Sequence, residues 1–251
     1  MKKGFAILFT LIVGTMNASA QTVTKNISHQ SQIWVGYFNQ TRFNNKWGMW
    51  TDIHLRTKDD FTDNFSQLMF RVGATYYIDN HTKLTAGYTY VNYYPADEHP
   101  TQTQVEHRPW QQLQWHTFYG KKRLGQWIRL EERFRQKAVG GVLTNDFGFN
   151  YRVRYNFSYN IPLSKKGLVA NTWSVVLNNE IHLNLGKSII NNTFDQNRCF
   201  AGLAYQLTPQ DVVQVGYMNI FQQRSGVNQY RSVDVLRLFY FQNLDLRSKK
   251  K

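Results

Sequence analysis

The sequence predicts an all-β protein: a transmembrane, antiparallel, up-and-down β-barrel of about 12 strands, with 10 as the fallback. Three observations predict this fold. Apolar and polar residues alternate along many segments, short connections alternate with longer ones, and the chain starts with an export signal. The 251 residues are 42% hydrophobic and 16% aromatic, which indicates an ordered chain and excludes a disordered tail or linker.

The first twenty residues have the three parts of a secretory signal peptide. Lys2-Lys3 is a basic start, Phe5 to Val13 is an apolar run, and Ala18 to Ala20 is a small-residue cleavage signal. We therefore expect residues 1–20 to be cleaved and residues 21–251 to form a single outer-membrane barrel domain. Polar residues interrupt every later apolar stretch well before the roughly 18 residues that a membrane-spanning helix requires.

The clearest strand signal runs from Phe147 to Ile161, where apolar, mostly aromatic residues alternate with polar ones. Its length exceeds the usual strand of about 5–6 residues in soluble sheets and suits a tilted membrane strand. The same alternation recurs at Met49 to Arg56 and at Gln67 to Ile78. Further candidate strands are Gln32 to Phe43, Lys83 to Asn92, Arg108 to Lys121, Trp127 to Lys137, Thr172 to Asn184, Cys199 to Gln206, Val212 to Gln222 and Val233 to Leu244.

These segments amount to about eleven strands, whereas bacterial single-chain barrels nearly always have an even number. Parity favours twelve, with a weak strand between Gln21 and Gln32 or a misjudged strand end. The segment from Trp127 to Val142 also fits a helical stripe that stops at Gly140-Gly141, but its neighbours favour a strand.

The predicted connections alternate in length, as the short periplasmic turns and longer external loops of outer-membrane barrels do. The short connections are Asn44 to Lys46, Asp79 to His81, Lys122 to Gly125 and Thr208 to Asp211. The longer ones are Thr57 to Asn64, Tyr93 to Glu106, Ala138 to Asp146, Gly186 to Asn197 and Arg224 to Gln229.

Alternation alone does not distinguish a membrane barrel from a soluble one. The long strands, the aromatic-rich apolar face and the export signal favour the bacterial outer membrane. The alternative is a soluble exported barrel that binds an apolar ligand inside.

Four segments resemble a known family, and the similarity spans nearly the whole chain after the signal peptide. They are Glu106-His107-Arg108-Pro109-Trp110-Gln111-Gln112, the run of Arg129, Glu131, Glu132 and Arg133, Asn179-Glu180, and Asn197-Arg198. Their pattern is similar to that of the uncharacterised outer-membrane barrel family catalogued as domain of unknown function 2490. The resemblance implies an outer-membrane barrel and no assigned activity.

Period two places a continuous, mainly basic wall of charged side chains on the inward face of neighbouring strands. We take ten of these residues as a candidate lumen charge network: Glu106, Arg108, Arg129, Glu131, Arg133, Arg152, Arg154, Glu180, His182 and Arg198. The same face also carries Gln112, Gln114, His116, Arg135 and Asn178.

The wall has three interpretations. In the structural one, the glutamates pair with flanking arginines and fill a narrow lumen. In the second, the excess of arginine selects anions along a passive pore. The third is a lipid-modifying enzyme with a histidine base, for which the candidates are His54, His107, His116 and His182. Serines are sparse in the strands (Ser66, Ser158 and Ser174), and no Gly-x-Ser-x-Gly motif occurs.

No catalytic residue, cofactor or metal site is predicted. The acidic residues Asp59, Asp60 and Asp63 are explained by turn chemistry, and the single cysteine, Cys199, has no partner in the chain. No nucleic-acid-binding module accompanies the basic charge. The expected partners are outer-membrane lipid and a small anionic solute, and the oligomeric state stays open.

Overall fold

A computed structural model describes residues 24–58, 60–96, 101–186, 189, 193–224 and 226–247. The predicted signal peptide at residues 1–20 lies outside the described residues. The described chain forms β1 (Asn26–Arg42), β2 (Trp47–Lys58), β3 (Asn64–Tyr77), β4 (Thr82–Tyr93), β5 (Gln104–Tyr119), β6 (Lys122–Val139), β7 (Val142–Pro162), β8 (Thr172–Leu185), β9 (Phe194–Gln206), β10 (Asp211–Gln223) and β11 (Gln229–Asp245). Within these ranges no helix is long and apolar enough to cross a bilayer.

The strands form one closed barrel in which each strand pairs with its neighbours in sequence, so the predicted all-β barrel is confirmed. Sequential neighbours run antiparallel, and β1 closes the barrel by pairing in parallel with β11. The closing register runs from Asn26 opposite Gln229 to Arg42 opposite Asp245. Closure pairs the edges that an open sheet would leave free.

The described strands number eleven, within the predicted range but not the twelve that parity favoured. An up-and-down barrel with an odd number of strands must join its first and last strands in parallel, as β1 and β11 do. No separate strand precedes β1 in the described part of the chain. The segment expected to hold a weak extra strand supplies the first residues of β1 instead, from Asn26 onward.

The prediction of a long loop from Ala138 to Asp146 is wrong. β6 and β7 continue to a two-residue turn at Gly140-Gly141, and the helical alternative for this segment is also excluded. Both glycines have positive φ, 61° and 81°, which a type I′ hairpin turn requires at its two central residues and glycine adopts without strain. The glycines that suggested a helix stop therefore form a hairpin turn.

The connections lie at two ends of the barrel, which we name the turn end and the loop end. The turn end holds residues 43–46, 78–81, 120–121, 163–171 and 207–210. The loop end holds the described residues 60–63, 94–96, 101–103, 140–141, 186, 189, 193, 224 and 226–228. The predicted alternation of short and longer connections holds except at the tight β6–β7 hairpin and the longer β7–β8 connection. The three bulges, at Arg56/Thr57, Gln136/Ala138 and His182/Leu183, all lie towards the loop end.

The outward face of the barrel is mostly apolar, whereas its inward face carries many of the charged side chains. On β11, Arg237 is only 9% exposed, whereas its neighbours Leu236 and Leu238 are 50% and 46% exposed. On β6, Glu131 is 1% exposed between the outward-facing Leu130 and Glu132. A soluble barrel arranges these faces the other way round, because burial in water favours apolar side chains.

Two pairs of inward-facing glycines let bulky rings lie flat against the barrel wall. Gly73 pairs with Gly87 beneath Trp110, and Gly202 pairs with Gly216 beneath Phe200. A Cβ atom on Gly87 would lie 2.7 Å from the Trp110 ring, closer than real contacts allow. Glycine in a strand interior often marks such a close approach.

At the turn end, two side chains close their turns in the same way. The Asp79 carboxylate accepts hydrogen bonds from the backbone N–H groups of His81 (2.6 Å) and Thr82 (2.7 Å). The Asn44 amide oxygen accepts from those of Lys46 (2.8 Å) and Trp47 (2.9 Å). The backbone donors, that of His81 first, hold the pKa of the Asp79 carboxyl below its ordinary value.

Asp79 has a titratable carboxyl and Asn44 does not, so the stability that each side chain contributes should depend on pH only at Asp79. A carboxyl whose folded pKa is lowered stabilises the protein above its ordinary pKa, and the stabilisation is lost as the pH falls through the folded value. We expect Asp79→Ala to lower the urea unfolding midpoint of the refolded barrel at neutral pH and much less in strong acid. Asn44→Ala is the matched control, because its amide does not titrate and its effect stays the same. An Asp79→Ala effect equally large in acid contradicts the prediction.

Candidate functional site

The centre of the barrel interior is a carboxylate that holds two arginines of the neighbouring strand. Glu131 on β6 accepts from Nε (2.8 Å) and Nη2 (2.6 Å) of Arg152 through one oxygen and from Nη1 of Arg154 (2.6 Å) through the other. Arg108 and Arg129 approach the same carboxylate at 3.8 and 3.9 Å. Such charge-assisted contacts are the strong class of hydrogen bond.

A second carboxylate, Glu106 on β5, lies nearer the loop end and is fully buried. It accepts from Arg108 Nη2 (2.6 Å), from Nε (2.9 Å) and Nη2 (3.0 Å) of Arg133 in a two-pronged contact, and from the Tyr93 hydroxyl (2.8 Å). Because Arg108 also approaches Glu131, the two carboxylates belong to one network.

The network continues across β7 to β8 and β9. Arg154 donates to Glu180 through Nε at 2.6 Å, and Arg152 donates to Asp195 through Nη1 at 3.0 Å. His182 Nε2 lies 2.9 Å from Glu180, and its other ring nitrogen lies 3.9 Å from Asp195. We name the whole set the ion-pair network: Glu106, Glu131, Glu180, Asp195, Arg108, Arg129, Arg133, Arg152, Arg154, His182 and Arg198.

The structure brings the ten residues of the predicted charge network together inside the barrel. Nine of them are buried, and the tenth, Arg198, keeps 11% of its side chain exposed. The eleventh member, Asp195, was not predicted. A bulge between His182 and Leu183 shifts the register there and turns Asp195 inward, and an alternation pattern carries no signal for such a shift.

A second buried cluster on β2 and β3 was also missed as part of the site. Asp52 lies 2.9 Å from His54 Nε2 and 3.6 Å from Arg71 Nε, and it accepts a hydrogen bond from the Trp50 indole. The alternation along β2 does put Asp52, His54 and Arg56 on one polar face. The signal was therefore present, and the cluster was missed because the predicted wall stopped at β5.

Arginines exceed carboxylates in the interior. Among the described residues, eight buried arginines accompany five buried carboxylates. Part of the surplus rests on aromatic faces: the Arg129 guanidinium lies 4.4 Å from the centroid of Trp110, and that of Arg237 lies 3.4 Å from the centroid of Phe200. Cation–π contact is favourable for arginine when water is excluded.

The other half of the interior is apolar, contrary to the expected polar inward face. Its buried side chains come from β1 and β8 to β11: Trp34, Val176, Phe200, Ala204, Met218, Ile220, Val233, Val235 and Phe239. Apolar residues in these strands were expected on the outer face. The register of the closed barrel determines which apolar residues of these strands face inward and which face outward.

The four candidate histidine bases lie apart, each with its own partner. His54 and His182 contact carboxylates inside the barrel. His107 faces outward and bonds to the Tyr88 hydroxyl, and His116 lies 3.0 Å from His81 at the turn end. Among the described residues no group of three or more potential ligands is arranged for a metal ion. Asp59, one of the three loop aspartates, lies outside the described residues.

Fold and site together define a closed β-barrel with an interior that is partly ion-paired and partly apolar, and with a mostly apolar outer surface. The family model for Protein of unknown function (DUF2490) matches residues 31–231, and the chain belongs to this family. No curated protein and no solved structure matches the chain significantly.

Proposed function

We propose that this chain is an outer-membrane β-barrel whose ion-pair network closes and stiffens the lumen, so that it acts as a structural membrane protein and not as an open pore. The observation that carries the proposal is the apolar outer surface combined with charged side chains inside, the opposite of the arrangement in a soluble barrel. It supports a lipid environment, because an apolar outer surface is stable in hydrocarbon, whereas the carboxylates buried inside the barrel are paired with arginine or histidine.

The outer surface has the composition of a membrane barrel. Every strand from β1 to β11 exposes large apolar side chains, examples being Val35, Ile53, Phe70, Leu84, Leu113, Ile128, Phe157, Leu177, Leu203, Val215 and Leu236. Aromatic pairs such as Trp173 with Tyr205 and Trp47 with Tyr76 lie towards the turn end. Rings of this kind favour the level of lipid headgroups.

A filled cross-section supports the closed lumen. Each of the eleven strands contributes at least one inward side chain that is no more than 7% exposed: Trp34, Asp52, Met69, Thr89, Trp110, Glu131, Arg152, Val176, Phe200, Met218 and Val235. A water-filled passage would expose the side chains that line it. This favours the structural interpretation of the charged wall over the anion-selective pore.

Cys199 gives a direct test of the first part of the proposal, insertion into a membrane. It is the single cysteine, and it is exposed on the outward face of β9. We expect a polarity-sensitive fluorophore on Cys199 of the protein refolded into vesicles to be quenched by lipids carrying a quencher in the acyl chain. The control label, on Asn45→Cys in a Cys199→Ser background, should respond to aqueous iodide instead, because Asn45 lies in a turn.

The same inserted preparation is then measured in a planar bilayer, where we expect no steady conductance. Iodide quenching at Cys199 equal to that at the turn would contradict insertion. Steady anion-selective conductance from a correctly inserted barrel would overturn the closed lumen and restore the pore.

A further inference from the structure

Two arginines in the loop-end half of the interior, Arg56 and Arg198, are poorly compensated by carboxylates. The guanidinium of Arg56 lies 3.6 Å from the centroid of the Trp34 indole, and that of Arg198 lies 5.0 Å from the same centroid. The two cationic groups therefore share one aromatic ring, although Arg56 belongs to β2 and Arg198 comes from β9, across the interior.

Arg56 has little to balance its charge. Within the described chain no carboxylate lies within ion-pair distance of it, and its protein acceptor is the Gln67 amide oxygen at 2.6 Å. Its Nε atom is buried and has no hydrogen-bond partner. The charges that act on it most strongly include those of Arg198, Arg108 and Arg154, all of the same sign. An unpaired buried donor and an uncompensated buried charge are both costly.

Arg198 is only partly compensated. Its Nη1 lies 3.7 Å from Glu180, and the other oxygen of that carboxylate is already bound by Arg154 and His182. Its Nε donates to the Gln196 amide oxygen at 3.1 Å. The Arg56 residue as a whole is 9% exposed, and the Arg198 side chain is 11% exposed. Both residues therefore keep a small contact with solvent in the loop-end half of the barrel.

We propose that Arg56 and Arg198, beside Trp34, form a binding site for one phosphate-type oxyanion. Guanidinium groups match the geometry of such an anion, and two of them held near one ring supply donors and charge without prior rearrangement. The anion would accept from the unpartnered Nε of Arg56 and complete the compensation of Arg198. This inference goes beyond the proposed function and does not depend on it, because the site follows from the interior geometry alone.

The test uses the refolded full chain in zwitterionic detergent micelles, with inorganic phosphate as the probe and constant ionic strength set by chloride. Calorimetric titration is expected to give saturable binding of one phosphate per chain. Arg56→Gln and Arg198→Gln should each weaken binding at least tenfold. Arg237→Gln is the matched control, since Arg237 is equally buried and also lacks a carboxylate partner but has no second guanidinium over its aromatic neighbours. The Arg237→Gln variant should bind phosphate as tightly as the unchanged protein does.

No saturable binding by the unchanged chain, or equal loss in all three variants, overturns the site. Should one arginine variant fail to refold, the other still locates the site, and competition between phosphate and sulfate on the unchanged protein shows whether both anions bind at one site. A short-chain phosphatidic acid distinguishes the source of the anion. Binding at least tenfold tighter than that of inorganic phosphate assigns the site to a lipid headgroup, and equal binding assigns it to a free oxyanion.

Discussion

Replacing Glu131 by alanine is expected to destabilise the barrel by about 3–5 kcal/mol, the usual cost of removing one partner from a buried ion pair. The side chain is 1% exposed and receives three hydrogen bonds from Arg152 and Arg154. Without it, both arginines keep one carboxylate each, Asp195 and Glu180, and the centre of the network carries uncompensated positive charge. Urea unfolding of the refolded protein in detergent micelles measures the effect.

The neighbouring residue is the control for this experiment. Glu132 points outward and its contact is a 3.3 Å hydrogen bond from Gln111, so Glu132→Ala removes the same group from the opposite face. We expect a change of less than about 1 kcal/mol or a slight gain, because a charge on an apolar surface covered by detergent is unfavourable. Equal losses from Glu131→Ala and Glu132→Ala would contradict both the inward network and the apolar exterior.

The second large effect is expected from a single methyl group. In Gly216→Ala the new Cβ would collide with the carbonyl oxygen of Ala201 and the Cα of Gly202, and it would lie 2.9 Å from the Phe200 ring. Backbone atoms do not yield as a flexible side chain does. We expect a loss of about 1–3 kcal/mol or more in unfolding free energy, the range for overpacking a filled interior.

Gly148→Ala is the matched change, because Gly148 is also in a strand but its Cβ would meet nothing nearer than 3.8 Å. It is expected to be neutral or slightly stabilising, since alanine restricts the unfolded chain more than glycine does. Refolding yield and urea midpoint, measured in parallel, compare the two variants. A Gly216→Ala protein as stable as Gly148→Ala would show that the wall beneath Phe200 can relax.

The barrel and its charged wall could be predicted because the direction of side chains along a strand follows one simple rule. Side chains alternate, so residues such as Arg152 and Arg154 must share a face wherever their strand lies. The strand count could not be obtained in the same way. The parity rule describes other barrels, whereas the pairing of Asn26 with Gln229 depends on contacts about two hundred residues apart.

Two parts of the interior escaped prediction for different physical reasons. Asp195 turns inward through a bulge, which breaks the period that the prediction relied on. Phe239 and Trp34 lie inside although they are apolar, because a barrel interior must be filled by volume as well as by charge. Composition alone assigns such residues to the outer surface.

The parallel closure of β1 and β11 has a consequence for engineering the chain. In a barrel with an even number of strands, the start of the first strand and the finish of the last are neighbours, and a short linker can join them in a circular permutant. Here Asn26 and Asp245 are separated by the length of the 17-residue β1, about 50 Å at roughly 3.3 Å per residue. A linker would have to travel the full height of the barrel. If the barrel spans a bilayer, peptide tags attached beyond these two residues face opposite compartments, so each tag reports on a different side.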